Sequence, residues 1–238
     1  MTTTLSIVIP TKNEEEHLPE LFRSLKEQTI QPAEIIVADA NSDDRTREIA
    51  AGFGARVVDG GLPGPGRNRG AEVATGTYVL FLDADVVLKD RTFLDRSLKE
   101  IVERDLDFAT VDVLPLDGNK IDEVFHGFYN SYCRLVEPVH KHAPGFCIFV
   151  RRSFHEKLGG FDETVTFCED HEYAQRAGKN GKFGFLSMPV PVSIRRFDRD
   201  GRLSIAVKYV LAELHHWIIG PIRHDKFNYT FGYRKKKE

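Results

Sequence analysis

Two aspartates stand two residues apart in Asp83-Ala84-Asp85, straight after the apolar run Tyr78-Val79-Leu80-Phe81-Leu82. Carboxylates at the end of a buried strand are costly to desolvate without a partner. A divalent cation with oxygen ligands is one such partner, and it can bridge the phosphates of a substrate. The chemistry would be Lewis-acid stabilisation of a leaving diphosphate. The spacing alone is a weak signal, since such pairs recur by chance. A second carboxylate, Asp39, ends the run Glu34-Ile35-Ile36-Val37-Ala38. It could accept hydrogen bonds from a base N–H, or cap the turn that holds Asn41 and Ser42. Asp43 suits the cap better, which leaves Asp39 for a ligand.

Farther along, Cys168-Glu169-Asp170-His171-Glu172 gathers ionisable groups at the start of a helical stretch. Acids there favour the helix dipole. They could also supply a general base that takes the proton of an acceptor hydroxyl, worth about 10²–10⁴ in rate. The segment Gly60–Gly66 is rich in Gly and Pro and precedes Arg67-Asn68-Arg69. It reads as a loop that brings cations to a helix start and suits a diphosphate; the alternative is a surface loop with solvated arginines. It is not a P-loop, because no G-x-x-x-x-G-K-[ST] occurs. Arg195-Arg196 follows a strand-like segment, where neighbours point to opposite faces, so one could meet phosphate while the other supports the fold.

The elements that would position these groups alternate in period. Leu5–Ile9, Glu34–Ala38, Ala55–Val58 and Tyr78–Leu82 read as buried strands. Leu18, Leu21, Phe22 and Leu25 mark a helix face, with Thr11 and Glu14, or Asn13 and Glu16, as its capping pair. A second helix is expected from Asp43-Asp44 and Thr46 to about Phe53, and a third over Arg67–Thr75, stopped by Gly76. This alternation predicts an α/β fold with a mainly parallel sheet flanked by helices, whose ligands sit at the carboxyl ends of strands. Asp39 and Asp83–Asp85 fall at such ends. Beyond them, Ile121–Leu135 carries a helical stripe, Phe146–Val150 a strand, and Asp170–Lys179 a helix. Short strands are expected near Phe183–Ser187 and Pro191–Arg195. Leu203, Val207, Val210, Leu214 and Trp217 form another stripe, read first as a core helix and second as one lying on a membrane or lining an acceptor groove. His215 and His216 are too divergent on a helix to chelate one ion together, though either could add a third ligand to a metal.

The chain has 238 residues, 41% of them hydrophobic, with a net charge of −3. That length supports one domain with two lobes, about 1–115 and about 116–238. The charge gives no ground for general nucleic-acid binding. Three cysteines without a CxxC spacing suggest reduced thiols, and Met1–Thr4 lacks the basic segment of a secretory signal. A cytoplasmic location is expected. No apolar run approaches the roughly 20 residues of a membrane span, and the basic tail Arg234–Lys237 reads as solvated, with contact to an anionic membrane surface as the second reading.

In order, the chain carries Ile7-Val8-Ile9-Pro10-Thr11-Lys12-Asn13-Glu14, Val37-Ala38-Asp39-Ala40-Asn41-Ser42-Asp43-Asp44-Arg45-Thr46, Gly66-Arg67-Asn68-Arg69-Gly70, Asp83-Ala84-Asp85, Gly159-Gly160-Phe161-Asp162 and Glu169-Asp170. Over about residues 4–200 this set resembles family 2 glycosyltransferases of the GT-A (Rossmann-like) fold. The resemblance implies a nucleotide diphosphate sugar donor, of UDP or GDP type, and transfer with inversion. It implies that Pro10, Thr11, Asn13, Glu14 and Asp39 hold the nucleoside, with Arg67 and Asn68 near the base or phosphates. Asp83 would meet ribose or metal, Asp85 would bind Mg²⁺ or Mn²⁺, and Asp170 would be the base with Glu169 beside it. Arg195 and Arg196 would meet phosphate or acceptor. The Q-x-x-R-W motif and membrane helices of processive synthases are missing, so a non-processive enzyme is implied. Dolichyl-phosphate sugar synthases share the first half, which keeps a lipid phosphate beside a saccharide as acceptor, with peripheral contact at the cytoplasmic face of a membrane. A sugar nucleotidyltransferase is the alternative, but Pro10–Glu14 stands where its Gly-rich, Arg-containing loop would follow the first strand. A non-catalytic nucleotide-sugar-binding protein is the other.

Overall fold

The computed structural model describes residues 3–224. The elements run β1 (Leu5–Thr11), α1 (Leu18–Lys26), β2 (Glu34–Asp39), α2 (Thr46–Gly52), β3 (Arg56–Asp59), α3 (Pro63–Glu72), β4 (Tyr78–Leu82), α4 (Phe93–Glu103), β5 (Phe108–Thr110), β6 (Val113–Leu116), α5 (Lys120–Val136), β7 (Cys147–Arg151), α6 (Arg152–Leu158), α7 (Glu169–Asn180), β8 (Phe183–Phe185), β9 (Val190–Ser193), α8 (Arg195–Asp200) and α9 (Arg202–Ile218). The main sheet has the order β3-β2-β1-β4-β7-β5-β8, and β6 pairs with β9 beside it. Strands β3, β2, β1 and β4 are parallel, while β7 runs antiparallel to β4 and β5.

Alternation along the strands divides the core into two layers. Ile7, Ile9, Leu80, Leu82 and Phe149 face one cluster, which Leu18, Leu21, Phe22 and Leu25 of α1 and Phe93 and Leu94 of α4 complete. Val8, Val79, Phe81, Ile148 and Val150 face the other, closed by α3, α6 and α7 through Ala71, Phe154, Tyr173 and Ala177. A sheet buried on both faces needs strands that are apolar throughout, and β1 and β4 are such strands. Each fully buried Leu or Phe contributes about 1.5–3 kcal/mol. Helix α3 lies very close to β1: a Cβ on Gly70 would sit 2.2 Å from Val8 Cγ1, so only glycine fits there.

The ladder from β1 to β4 stops at Val8–Phe81, whereas that from β1 to β2 continues to Thr11–Asp39. The two strands therefore part at their carboxyl ends, where the strand order reverses and ligand crevices form.

Several expectations need correction. The Gly60–Gly66 segment is not all loop: α3 begins at Pro63, because proline suits the first turn. It also ends early, with Val73 as C-cap rather than Gly76. No capping pair opens α1, whose N-cap is His17 with Pro at the first turn. Arg195 and Arg196 open α8 instead of extending a strand. The three cysteines are buried and form no disulfide. No helix among the described residues is long and apolar enough to cross a membrane. The tail Arg234–Lys237 lies outside the described residues.

Candidate active site

The loops after β1 and β2 are laced together. Lys12 Nζ donates to the Asn41 carbonyl (2.5 Å), Asn13 N–H to Ser42 Oγ (2.8 Å), and Asp43 N–H to Asn13 Oδ1 (2.9 Å). Asn13 and Asn41 both take φ of 56°, the left-handed region that asparagine tolerates better than most residues. Beside this wall opens a cleft of about 550 Å³, lined by Lys12, Asp39, Asn41, Asp59, Gly60 and Leu62. Pro10 and Thr11 are buried at the end of β1.

Asp39 was expected to be spared for a ligand while Asp43 capped α2; the hydrogen bonds run otherwise. Asp39 is 1% exposed. It accepts from Thr11 Oγ1 (2.9 Å), from Ser42 N–H (2.9 Å) and Oγ, and from Arg47 at 3.4 Å. The N-cap of α2 is Arg45, without a side-chain cap, and Asp44 just before it accepts from Thr46 N–H at 2.9 Å. Ser42 lies within reach of Asp39, so an Asx-type turn forms there.

Arg67 is neither solvated nor turned toward the cleft. It is 2% exposed, and its Nη1 donates to Glu169 (2.7 Å) while Nη2 donates to Asp83 (2.9 Å) and the Gly145 carbonyl (3.1 Å). One guanidinium thus joins the end of β4 to the start of α7. Asn68, also expected near base or phosphate, spends its amide on the 160–163 turn: Nδ2 donates to the Phe161 carbonyl (2.9 Å) and Oδ1 accepts the Phe161 N–H (2.8 Å).

Arg195 performs a parallel task. Its Nε donates to Asp85 (2.9 Å), and its two Nη groups hold Glu14 in a bidentate pair at 2.8 Å each. Arg195 thus bonds two of the site's carboxylates, and Arg196 bonds Tyr209 of α9. Glu14 is 5% exposed; burial raises its pKa despite Arg195.

Cys168 holds φ of 57°, a strained left-handed residue, just before Glu169 and Asp170 start α7. Asp170 Oδ2 accepts the Gly145 N–H at 2.6 Å, and Oδ1 accepts the His171 N–H at 2.9 Å. Burial, with the Asp170 carboxylate next to it, raises Glu169. Asp83 is pushed up to about 7 by burial, with Asp85 and Glu169 adding to the shift and Arg67 opposing it. Glu14, Asp83, Asp85, Glu169 and Asp170 thus crowd around two arginines, Arg67 and Arg195. That donor set fits a hard divalent cation, which takes one or two carboxylates and completes its shell with substrate oxygens.

Sequence reasoning missed Gly145, whose carbonyl and N–H tie Arg67 to Asp170; nothing in an isolated glycine signals this. It also missed His140, His142 and Glu213, which converge from distant positions. Neither His215 nor His216 belongs to that cluster: His215 Nδ1 pairs with the Gly220 carbonyl (2.9 Å), and His216 is buried beside His171.

The model of glycosyl transferase family 2 matches residues 6–159. A 4,4'-diaponeurosporenoate glycosyltransferase of Staphylococcus haemolyticus is 36% identical over 103 residues, 40% of this chain and 27% of its own length. The uncharacterized glycosyltransferase EpsJ of Bacillus subtilis is 33% identical over 203 residues, 71% of this chain and 54% of its own. The chain thus spans about half or less of these relatives. Among solved structures, the mannosyltransferase PcManGT of Pyrobaculum calidifontis, in complex with GDP-Man and Mn²⁺, superposes with a TM-score of 0.68 at 19% identity. The match covers 88% of this chain and 61% of that one. Together with the sheet order, this likeness identifies the GT-A fold.

Proposed function

The chain belongs to glycosyl transferase family 2, and from that premise we propose that it transfers a sugar, with inversion, from a UDP- or GDP-linked donor to an acceptor hydroxyl. The observation that carries this reading is the buried Arg67, which ties Asp83 of the D-x-D segment to Glu169 of the acidic pair. Groups suited to a donor diphosphate and groups suited to an acceptor proton are thereby held in one assembly.

In this reading the cleft beside Lys12, Asp39 and Gly60 receives the nucleoside. Asp39 acts by fixing the loop after β2, with its carboxylate already bonded to Thr11 and Ser42. Asp83 and Asp85 would hold Mg²⁺ or Mn²⁺, and the ion, when bound, would neutralise charge on the leaving diphosphate. Arg195 keeps Glu14 and Asp85 aligned at the same mouth. Asp170 is oriented by two backbone N–H groups and takes the proton of the acceptor hydroxyl. Glu169 is spent on Arg67 and acts as a positioning residue. A lipid phosphate acceptor is already ionised and has no proton to give, so a base in this place favours a saccharide or another hydroxyl.

Helices α5 and α9 add a second element. Arg202 binds Asp122 through both carboxylate oxygens, and Tyr132 donates to Glu213. The two contacts are 10 and 11 residues apart on the respective helices, so the helices run side by side in one direction. Val124, Phe128 and Leu135 of α5 and Leu203, Val210 and Ile218 of α9 are all more than half exposed. The α9 stripe, read first as a core helix, therefore faces outward, as does much of the α5 stripe. An apolar surface of this extent marks a binding face, and we assign it to the cytoplasmic face of a membrane, where a lipid-linked acceptor would be presented.

Calorimetry with UDP and GDP, with and without Mn²⁺, combined with the variant Asp170→Asn, tests the catalytic reading. Donor binding should persist in the variant while transfer falls at least about 10²-fold. Near-normal turnover would remove Asp170 from the base role.

A further inference from the structure

Outside the carboxylate assembly, the loop between α5 and β7 brings His140 and His142 against Glu213 of α9. A nitrogen of each imidazole and a carboxylate oxygen lie within 4.8 Å of one another. We propose that these three residues form a second metal site, one for Zn²⁺ or a similar transition ion, which fastens the 137–146 loop to α9. The proposal does not depend on the glycosyltransferase reading.

Two imidazoles and one carboxylate are a zinc-type donor set, with a fourth position left for water or another ligand. Bond lengths near 2.1 Å at tetrahedral angles place ligand atoms roughly 3.4 Å apart, so small rotations of three side chains complete the site. The supporting contacts are those a ligating histidine needs. His142 Nδ1 lies 3.0 Å from the His140 carbonyl, which makes that nitrogen the donor and directs Nε2 to Glu213 at 2.9 Å. The His140 ring stacks on Trp217, with centroids 4.4 Å apart and planes 17° from parallel. Glu213 Oε1 accepts from Tyr132 Oη (2.8 Å) and Trp217 Nε1 (2.7 Å), which fixes the carboxylate.

Two more imidazoles stand next to the cluster. His171 Nδ1 is 3.8 Å from Glu213 Oε2, and its ring lies 4.8 Å from that of His142. His216, 6% exposed, packs beside His171, and its Nε2 has no hydrogen-bond partner among the described residues. His142 is fully buried, while His140 and Glu213 keep 12% and 19% of their side-chain surface, so the ion has a route from solvent. The same loop continues to Gly145, which binds Arg67 and Asp170. The ion would therefore brace the carboxylate assembly from the α9 side.

The test uses the full chain with any affinity tag removed, titrated with Co²⁺ as the spectroscopic stand-in for Zn²⁺. The variant Asp85→Asn removes the other cation site from the readout. One equivalent of Co²⁺ should bind to that variant with the intense visible bands of a four-coordinate site, and Zn²⁺ should displace it. Adding Glu213→Gln, a near-isosteric change, or His140→Ala should weaken the affinity at least about 10²-fold, the upper range seen even for losses outside the ligand shell. Absence of such bands, or affinity unchanged by both added substitutions, would overturn the site and leave Glu213 as the anion of a histidine network. The Asp85→Asn spectrum decides the matter even if an added variant fails to fold.

Discussion

Replacing Arg67 by methionine removes a buried cation while keeping most of its volume. Arg67 makes two charge-assisted hydrogen bonds, to Glu169 at 2.7 Å and Asp83 at 2.9 Å. At about 1.5–3 kcal/mol each these sum to about 3–6 kcal/mol. That agrees with the roughly 3–5 kcal/mol lost when one partner of a buried ion pair is removed. Asp83 already sits near 7 with the arginine present, so in Arg67→Met both carboxylates will be driven higher and will tend to protonate. A folded-state pKa above the unfolded value means that the folded protein holds more protons, so stability falls as pH rises from about 4 toward and past 7. The variant's deficit should therefore be larger at pH 8 than at pH 6. Urea unfolding at both pH values measures this. The triple change Arg67→Met, Asp83→Asn, Glu169→Gln should recover most of the loss, because removing all the charges together is close to neutral. A deficit below about 1 kcal/mol at pH 8, or no recovery in the triple variant, would refute the claim that Arg67 offsets these two carboxylates.

Three other expectations follow from particular contacts. A Cβ on Gly145 would lie 2.6 Å from Arg67 Nη2 and 3.0 Å from Asp170 Oδ2; Gly145→Ala should cost about 1–3 kcal/mol and cut transfer at least about tenfold in an assay with saturating donor. Burial holds His155 down to about 4, and its Nδ1 is bonded to Tyr173 Oη at 2.6 Å. The unfolded chain takes up that proton first, so stability is full above about 6.5 and falls by about 2 kcal/mol on going to pH 5; His155→Gln should flatten that slope in urea titrations. Phe128→Asp with Val210→Asp should lower binding to anionic vesicles at least about tenfold in flotation while leaving nucleotide binding unchanged; equal flotation would mean that the outward stripes serve something other than a membrane.

The first half of the fold was readable because its strands are buried on both faces. Continuous apolar runs such as Leu5–Ile9 and Tyr78–Leu82 have few other uses, and the positions after them mark the crevice. The side-chain roles there were less legible. Asp39, Arg67 and Asn68 were all expected to meet ligand, yet each is bonded within the protein. A motif states which residue types a site needs, not whether a given polar group touches the ligand or holds a neighbour that does.

In the second half, periodicity itself pointed the wrong way. An amphipathic stripe shows that a helix has two unlike faces, and the apolar one is normally inward. In α5 and α9 the buried positions are Asp122, His126, Cys133, Ile205, Ala212 and His216, while most of the large apolar residues are exposed. Polar groups can occupy the inner side because they find partners there: Asp122 pairs with Arg202, and Glu213 collects Tyr132 and His142. Those partners come from separate stretches of sequence, so no local pattern announces them. The inversion has a functional logic. In the proposed reading, a helix pair with polar chemistry on one side and apolar residues on the other stands at a boundary, with the acceptor side of the site behind it and a membrane in front. Substitutions on the outer stripes should therefore change where the protein works, and those on the inner face how it works.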